Sequence, residues 1–591
     1  MSIRFRVAGI TFSGTSERIA TATDVVVLVG PNNAGKSRAL REIAAHIADD
    51  NPEAVVTSLA TEKSGAAEEL REWIVQRTVS SATVGYRTTA DGHGVWVEDA
   101  CNGWTAEPAT VSRLARALVL LADAETRLQL ANSVPSVDVR SLLPLEPLQR
   151  LLRDHTTETR LSAAVERAFA LPVHVNRAGG SQLHLHLGAP EAEPRLDSVE
   201  YLSALDELPL VPEQGDGMRS FIGLLLTIVT SSHPLILVDE PEAFLHPPQA
   251  RELGRQLATP EEQQLIVATH SVDVLLGLLD RARSVTVIRL TRNGDRNRAS
   301  VLDGQRVAAL WRDPVLRYSR LLDGLFHRGV IVCEAEGDVR LYNATLDARL
   351  ERRGEAAADV LFTSSGGKHK LAAAVAALRP LGVPVAVVTD LDMLRAEQPL
   401  RGLVDGLGGD WARFESDARR LRALVAEMET VSPTVDSIRP QLLQTLGADG
   451  TARVTEEQSR RIREITKVRD GWRIAREGGG IAALPHGDAN GIARRLIAAL
   501  AEIGLFVVDV GALEGWAPDL GGHGPRFVDR ALEEKRHVTH EPLSDFVASV
   551  AAFVRSVEAV AEGEPPDDRQ PATSWRRESG AQQATPPGPL R

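Results

Sequence analysis

One stretch limits what this chain can fold into more than any other: Val25-Val-Val-Leu-Val-Gly30-Pro-Asn-Asn33-Ala-Gly35-Lys36-Ser37, followed by Arg38-Ala-Leu-Arg-Glu-Ile-Ala-Ala-His. Five apolar, mostly β-branched residues read as a strand buried on both faces, and the segment after Ser37 reads as a helix. Between them, Gly30-x-x-x-x-Gly35-Lys36-Ser37 has the form of a nucleoside-triphosphate loop. Its glycines let backbone N–H groups turn inward around phosphates, and the helix start adds partial positive charge. Lys36 is spaced to reach the β- and γ-phosphates and Ser37 to ligate Mg²⁺, with Asn33 inside the cradle. The expectation is an α/β fold that binds a nucleoside triphosphate.

Two later strands fit the same chemistry. Leu235-Ile-Leu-Val-Asp239-Glu240 is an apolar run ending in two acids, Asp239 for the magnesium and Glu240 for the attacking water. Gln264-Leu-Ile-Val-Ala-Thr-His270 ends in a histidine suited to hydrogen-bond the γ-phosphate. Gln214-Gly215-Asp-Gly217-Met-Arg-Ser opens an apolar helix and reads as a second anion-binding end, which a second subunit docked head-to-tail would close over the first subunit's nucleotide. Residues 83–88 and 94–97 read as strands about a turn at Asp91-Gly-His. The leucine spacing in 111–122 and 142–170 predicts helices, an insertion at about 110–170 that is a candidate dimerisation arm. Residues 171–187 read as a hairpin. His184 and His186 would share one face of its second strand, solvent-facing opposite the leucines, with no third ligand to make a metal site.

The pattern then restarts. Gly329-Val-Ile-Val-Cys333-Glu334 delivers a glutamate to a strand tip, and Gly366-Gly-Lys368 opens a helix. Val383-Pro-Val-Ala-Val-Val-Thr-Asp390-Leu-Asp392 is a second apolar strand ending in alternate acids. Alternation along a strand would point Asp390 and Asp392 the same way, about 7 Å apart. If the two strands are parallel neighbours, three carboxylates converge at one edge and repel unless a divalent cation neutralises them.

The first half resembles the ABC-type ATPases, particularly their SMC-like branch: Gly30–Ser37 matches the Walker A loop, Asp239 and Glu240 the end of the Walker B strand, and His270 the switch histidine. Residues 214–220 look like a diverged signature motif. The resemblance implies two ATPase heads sandwiching two nucleotides. The second half resembles the TOPRIM fold, and the order of the two halves is that of the overcoming-lysogeny-defect (OLD) nucleases, an architecture shared by the Gabija nuclease subunit. In this family Glu334 matches the TOPRIM glutamate, Asp390-Leu-Asp392 its Asp-x-Asp, Asp338 the acid four residues after the glutamate, Lys368 a Gly-Lys before the third helix, and Glu514 an additional acid near a second metal. The family's glutamate is usually followed by glycine, whereas Ala335 stands here.

The resemblance implies an ATPase domain at 1–310, a Rossmann-like TOPRIM nuclease domain with helical additions at 325–560, and two Mg²⁺ or Mn²⁺ ions clamping a scissile DNA phosphate. Glu334, Asp338, Asp390, Asp392 and Glu514 would hold the ions, and Lys368 would offset charge on the phosphate. DNA cleavage would be controlled by ATP in anti-phage defence, in a homodimer or higher homo-oligomer formed through the ATPase domain, with room for a second defence protein. An ATP-driven sensor or scaffold whose TOPRIM half does not cut is the alternative.

Composition bounds these readings. A net charge of −13 confines any DNA contact to local basic patches or bridging metal ions; the Arg-rich helices expected at 410–428 and 455–477 read as solvated faces, with DNA contact as the alternative. Two cysteines cannot build a disulfide framework, no apolar run reaches membrane-spanning length, and the start lacks a signal-peptide apolar region. The expectation is a cytoplasmic protein without a membrane partner. A topoisomerase would need a tyrosine nucleophile on a DNA-binding module, and a primase a zinc module; neither is evident. Residues 561–591, rich in Pro, Gly and charge, read as a disordered tail.

Overall fold

The structure is a computed structural model and describes residues 3–561, apart from 51, 82, 89–93, 107–110, 139–143, 145, 178–179, 192–197, 259–262, 303–319, 429–432, 448–452, 467–469 and 486. Short runs of unbroken apolar sequence build its two parallel sheets. In the first, β1 (Val25–Val29), β2 (Val119–Ala122), β3 (Leu235–Asp239), β4 (Gln264–Ala268), β5 (Val285–Asn293) and β6 (Arg296–Leu302) stand in the order β6-β5-β1-β4-β3-β2. All pairings are parallel except the β5–β6 hairpin at one edge. Every residue of β1 and β4 is buried, as a parallel sheet covered on both faces requires. The register pairs Asp239 with Ala268 and Ala268 with Leu28. Three strands therefore finish level, and the loops that leave them share one edge.

An antiparallel sheet (Arg4–Phe12, Ile19–Ala20, Val56–Ser64) packs on this one through a shared apolar cluster and is pinned to it by a buried glutamine. Buried Gln264 accepts from Val7 N at 2.7 Å and donates to the carbonyls of Val7, Thr21 and Thr23. Helix α1 (Lys36–Ile47) follows the phosphate loop, α2 (Ala124–Leu130) follows β2, and α3 (Asp216–Thr230) precedes β3.

The second sheet holds β7 (Gly329–Cys333), β8 (Val360–Ser364), β9 (Val385–Thr389) and β10 (Leu505–Val507) in the order β8-β7-β9-β10, all parallel. Helix α4 (Glu336–Arg353) follows β7, α5 (Leu371–Leu378) precedes β9, α6 (Gly471–Glu477) lies before β10, and α7 (Glu541–Ala561) packs on β7 and β9. A Cβ at Gly329 would lie 2.1 Å from Val554 Cγ1, so glycine there is what lets α7 approach the sheet. One apolar cluster runs through both sheets. Buried Arg289 of β5 also joins them, donating to Gly382 O at 3.1 Å and His327 O at 2.8 Å.

Three expectations are corrected. The interval 110–170 is not a helical insertion throughout: Val119–Ala122 is the β2 edge strand of the main sheet and Val134–Pro135 pairs with Leu183 and Gln182. Four apolar residues satisfy a helical or an extended pattern equally, and pairing with β3 decides it. His186 is buried rather than solvent-facing, its Nδ1 3.2 Å from Leu208 O, because the segment before α3 folds over that strand. Asp392 is not in a strand. β9 stops at Thr389, and Asp392 lies in a 3₁₀ turn, Leu391–Arg395, for which Asp390 is the N-cap residue. The hairpin strands Tyr86–Thr88 and Gly94–Trp96 pair as expected, while their turn, like the 562–591 tail, lies outside the described residues. No described helix is long and apolar enough to cross a membrane.

Candidate functional site

The level strand ends of the first sheet gather one set of polar groups. Gly30 has φ +140°, and a Cβ there would lie 2.1 Å from Leu290 O. Gly35 has φ +89°, and exposed Asn33 sits at φ 62° at the loop's tip. Buried Lys36 donates to the carbonyls of Gly30 and Pro31, both at 2.8 Å. Burial lowers its pKa to about 8 against the opposing pull of Glu240, Glu242 and Asp239. Asp239 accepts from Ser37, and burial raises its pKa. Its second oxygen, Oδ1, is buried without a hydrogen-bond partner. A carboxylate oxygen left bare beside a loop serine fits a hard cation such as Mg²⁺.

Glu240 sits at φ 46°, its Oε1 3.4 Å from His270 Nε2. Burial first, and then the Lys36 charge, lower the pKa of His270. Two residues that the motifs did not single out hold this arrangement. Glu242 accepts from His270 N at 2.5 Å and from Thr269 Oγ1 at 2.9 Å, fixing the strand tip. Fully buried Arg127 of α2 donates to Asp239 O at 2.7 Å and Glu240 O at 2.9 Å. The second acid of Asp-Glu-Pro-Glu was a readable signal for Glu242; a lone arginine over a hundred residues upstream of Asp239 was none for Arg127. Gly215 is the N-cap residue of α3, Gly217 lies against Phe244 O, and Arg219 donates to Leu128 O and pairs with Asp216.

The second sheet gathers acids. Glu334, at the tip of β7, accepts from Thr389 Oγ1 and, at 3.0 Å, from Asp390 N. Glu334, Asp390 and Asp392 each offer one oxygen within 4.8 Å of the others, the one such group among the described residues. Asp390 has its pKa raised to about 8 by burial and by Glu334, with Arg476 opposing. Asp338 caps the start of α4 by accepting from Ala335 N at 2.9 Å, and its pKa is raised to about 6, mainly by burial. Ala335 is extended (φ −132°), so the turn after Glu334 needs no glycine. Asp338 and Glu514 stand outside the trio. Glu514 accepts from Gly524 N at 2.9 Å and faces His523 at 3.6 Å, while its charge reaches Asp338.

Two cations answer these acids. Lys368 Nζ lies 3.1 Å from Asp392 Oδ2, and Arg476 Nη2 lies 2.7 Å from Asp390 Oδ2. The donor set, three clustered carboxylates of which one resists ionisation, fits a divalent cation.

With this geometry in hand, residues 134–277 match a family model described as "AAA domain, putative AbiEii toxin, Type IV TA system". The match spans Asp239, Glu240 and His270 but not the phosphate loop, and it covers less than half of the chain. The chain carries an AAA-type ATPase domain. No curated protein sequence matches it. Among solved structures, an SMC head domain from Thermotoga maritima is similar at 11% identity and TM-score 0.26, over 51% of this chain and 100% of that one. An SMC head bound to the C-winged helix domain of ScpA gives 9%, 0.30, 51% and 99%. An Smc head with an extended coiled coil, bound to the C-terminal domain of ScpA derived from Pyrococcus furiosus, gives 10%, 0.30, 53% and 99%. TM-scores of this size do not establish a shared fold.

Proposed function

We propose that this chain is an ATP-controlled, metal-dependent DNA endonuclease of the OLD type, its second sheet a TOPRIM domain. The observation that carries the reading is the convergence of Glu334, Asp390 and Asp392, which follow the ends of two adjacent parallel strands, onto one point. Glu334, Asp390 and Asp392 would hold one divalent cation, with Asp338 and Glu514 beside them for a second. Ions bound there supply Lewis-acid stabilisation of the phosphate and a low-pKa water. The chain's own part is to hold the acids. Thr389 Oγ1 and Asp390 N fix Glu334, the 3₁₀ turn swings Asp392 back beside Asp390, and Lys368 meets negative charge developing on the phosphate. In the ATPase domain, Lys36 would bind phosphate, Ser37 and Asp239 the magnesium, Glu240 would orient water and His270 would contact the γ-phosphate. Gly215 and Gly217 would meet the nucleotide of a second copy in a head-to-tail homodimer. Anti-phage defence with a second defence protein is the biological setting that this resemblance favours.

Nicking of supercoiled plasmid with Mg²⁺ or Mn²⁺ tests the proposal. Loss of nicking in Asp390→Ala and its retention in Lys36→Ala is the expected pattern. No cleavage under either metal overturns the nuclease reading in favour of a sensor or scaffold.

A further inference from the structure

The acidic trio is not bare. The guanidinium of Arg476 reaches both aspartates, with Nη2 2.7 Å from Asp390 Oδ2 and Nη1 3.8 Å from Asp392 Oδ2, while Lys368 takes the other side of Asp392 at 3.1 Å. Arg476 comes from the last turn of α6, far in sequence from either strand that carries the acids.

The helix that presents it is bolted down. Ala475 is fully buried and Trp472 nearly so. A Cβ at Gly511 would lie 2.4 Å from Arg476 O and 3.0 Å from Ala475 O, so only glycine lets the 509–511 turn close on the end of α6. Gly511 O in turn accepts from Leu391 N at 2.9 Å, in the 3₁₀ turn that carries Asp392. At the other end, Asp470 caps the helix by accepting from Arg473 N and pairs with Arg395 of the same 3₁₀ turn at 2.9 Å. One turn therefore fixes the arginine's backbone and the aspartate's backbone against each other. The side chain is less confined. It is 44% exposed, against 13% for Asp390 and 19% for Asp392, so the guanidinium lies on the solvent side of the acids.

A cation fixed in that position meets whatever enters the cluster. A divalent ion held by the trio draws on the same two aspartates and competes with the guanidinium for them. Once displaced, the guanidinium stays within side-chain reach of the acids, because its backbone is held. It stays at the mouth of the site with five N–H donors in a fork that matches a phosphate. Resting on the nuclease reading above, we propose that Arg476 is the phosphate-holding residue of this site, parked on Asp390 and Asp392 until divalent cations take those carboxylates. It is at once the ion's competitor and the substrate's partner.

The two halves of that statement have opposite signatures. In DNA-free protein, Mn²⁺ titrated by electron paramagnetic resonance should bind about tenfold more tightly to Arg476→Gln than to wild type, since one competing charge is gone. Asp390→Ala supplies the baseline for ions held elsewhere. In Ca²⁺, anisotropy of a labelled duplex should show Arg476→Gln binding about tenfold more weakly, with Arg476→Lys recovering part of the loss. Mn²⁺ affinity that is unchanged or weaker in Arg476→Gln, or duplex affinity that is unchanged, overturns the proposal and leaves the nuclease reading standing. If wild type and Asp390→Ala titrate identically with Mn²⁺, the metal site itself is absent and both readings fail together.

Discussion

Replacing Arg127 by methionine isolates one device in the ATPase domain. The guanidinium is 0% exposed and donates from Nε to Asp123 O at 2.9 Å and from Nη2 to Asp239 O at 2.7 Å and Glu240 O at 2.9 Å. Glu240 sits at φ 46°, a left-handed conformation costing about 1–2 kcal/mol for a non-glycine residue. Two charge-assisted bonds onto the 239–240 turn are worth about 1.5–3 kcal/mol each, about 3–6 kcal/mol together. The tie therefore outweighs the strain, and without it the strain decides. Methionine keeps most of the volume and removes every donor, so the turn relaxes and the Glu240 carboxylate leaves its place 3.4 Å from His270. A displacement of about 1 Å costs on the order of 100-fold in rate. Lys36 and Ser37, on the neighbouring loop, are untouched. Steady-state phosphate release should fall about 100-fold while binding of a fluorescent ATP analogue stays within about threefold. An Arg127→Met protein that melts normally and hydrolyses ATP within threefold of wild type would refute the reasoning.

Glu240→Gln should bind ATP and fail to hydrolyse it, and the head-to-tail reading expects ATP to accumulate dimers of this variant in analytical ultracentrifugation; monomers at every ATP concentration would reject that assembly. The pKa of Asp390, raised to about 8, sets a pH dependence for metal. The folded chain keeps a proton that the unfolded chain releases near pH 4, so this residue's contribution to stability is complete below that pH and is lost as pH rises through 8. A metal ion needs the ionised form, so Mn²⁺ should raise the melting temperature more at pH 8.5 than at pH 6, with apparent affinity climbing up to about tenfold per unit between them. Equal shifts at both pH values would show that Asp390 is no ligand. Arg289→Ala removes two donors from the carbonyls of His327 and Gly382 and should cost about 2–4 kcal/mol at that junction. Faster amide exchange around 327–330 and 382–385, with the interior of β4 unchanged, is the expected readout.

What the sequence revealed and what it hid divide along a physical line. The phosphate loop, the apolar strands leading to Asp239, Ala268, Cys333 and Thr389, and the meeting of Glu334 with Asp390 were legible, because fully buried parallel strands read as unbroken apolar runs, though the end of the last strand was not. Asp392 reached its expected neighbours by a route the alternation argument did not foresee. The strand ends one residue before Asp390, and a 3₁₀ turn, not the pleat, brings the second aspartate back. β2 was hidden because four apolar residues carry no period, and only its place beside β3 makes it a strand. Arg127 and Arg476 were invisible for a different reason. Each acts through contacts to residues more than eighty positions away, and nothing local distinguishes such an arginine from one on a solvated helix face.

The two sites face opposite ends of the second sheet. Arg289 grips the chain at His327 and Gly382, just before β7 and β9, while the acids hang from the far ends of the same strands. Asp359, just before β8, pairs with His327 Nδ1 at 2.8 Å, and its negative charge weakly opposes the burial that lowers the pKa of Lys36 and His270. The amino edge of the second sheet therefore lies within electrostatic reach of Lys36 and His270. On the proposed function, a γ-phosphate entering the nucleotide pocket brings negative charge towards Asp359 and draws Lys36 and His270 to itself. β7 and β9 are five-residue strands buried along their whole length, and a rise of about 3.3 Å per residue puts about 17 Å between their two ends. On that reading, β7 and β9 are the elements that would carry a nucleotide signal, and Arg289 is the contact that would couple them to the first sheet.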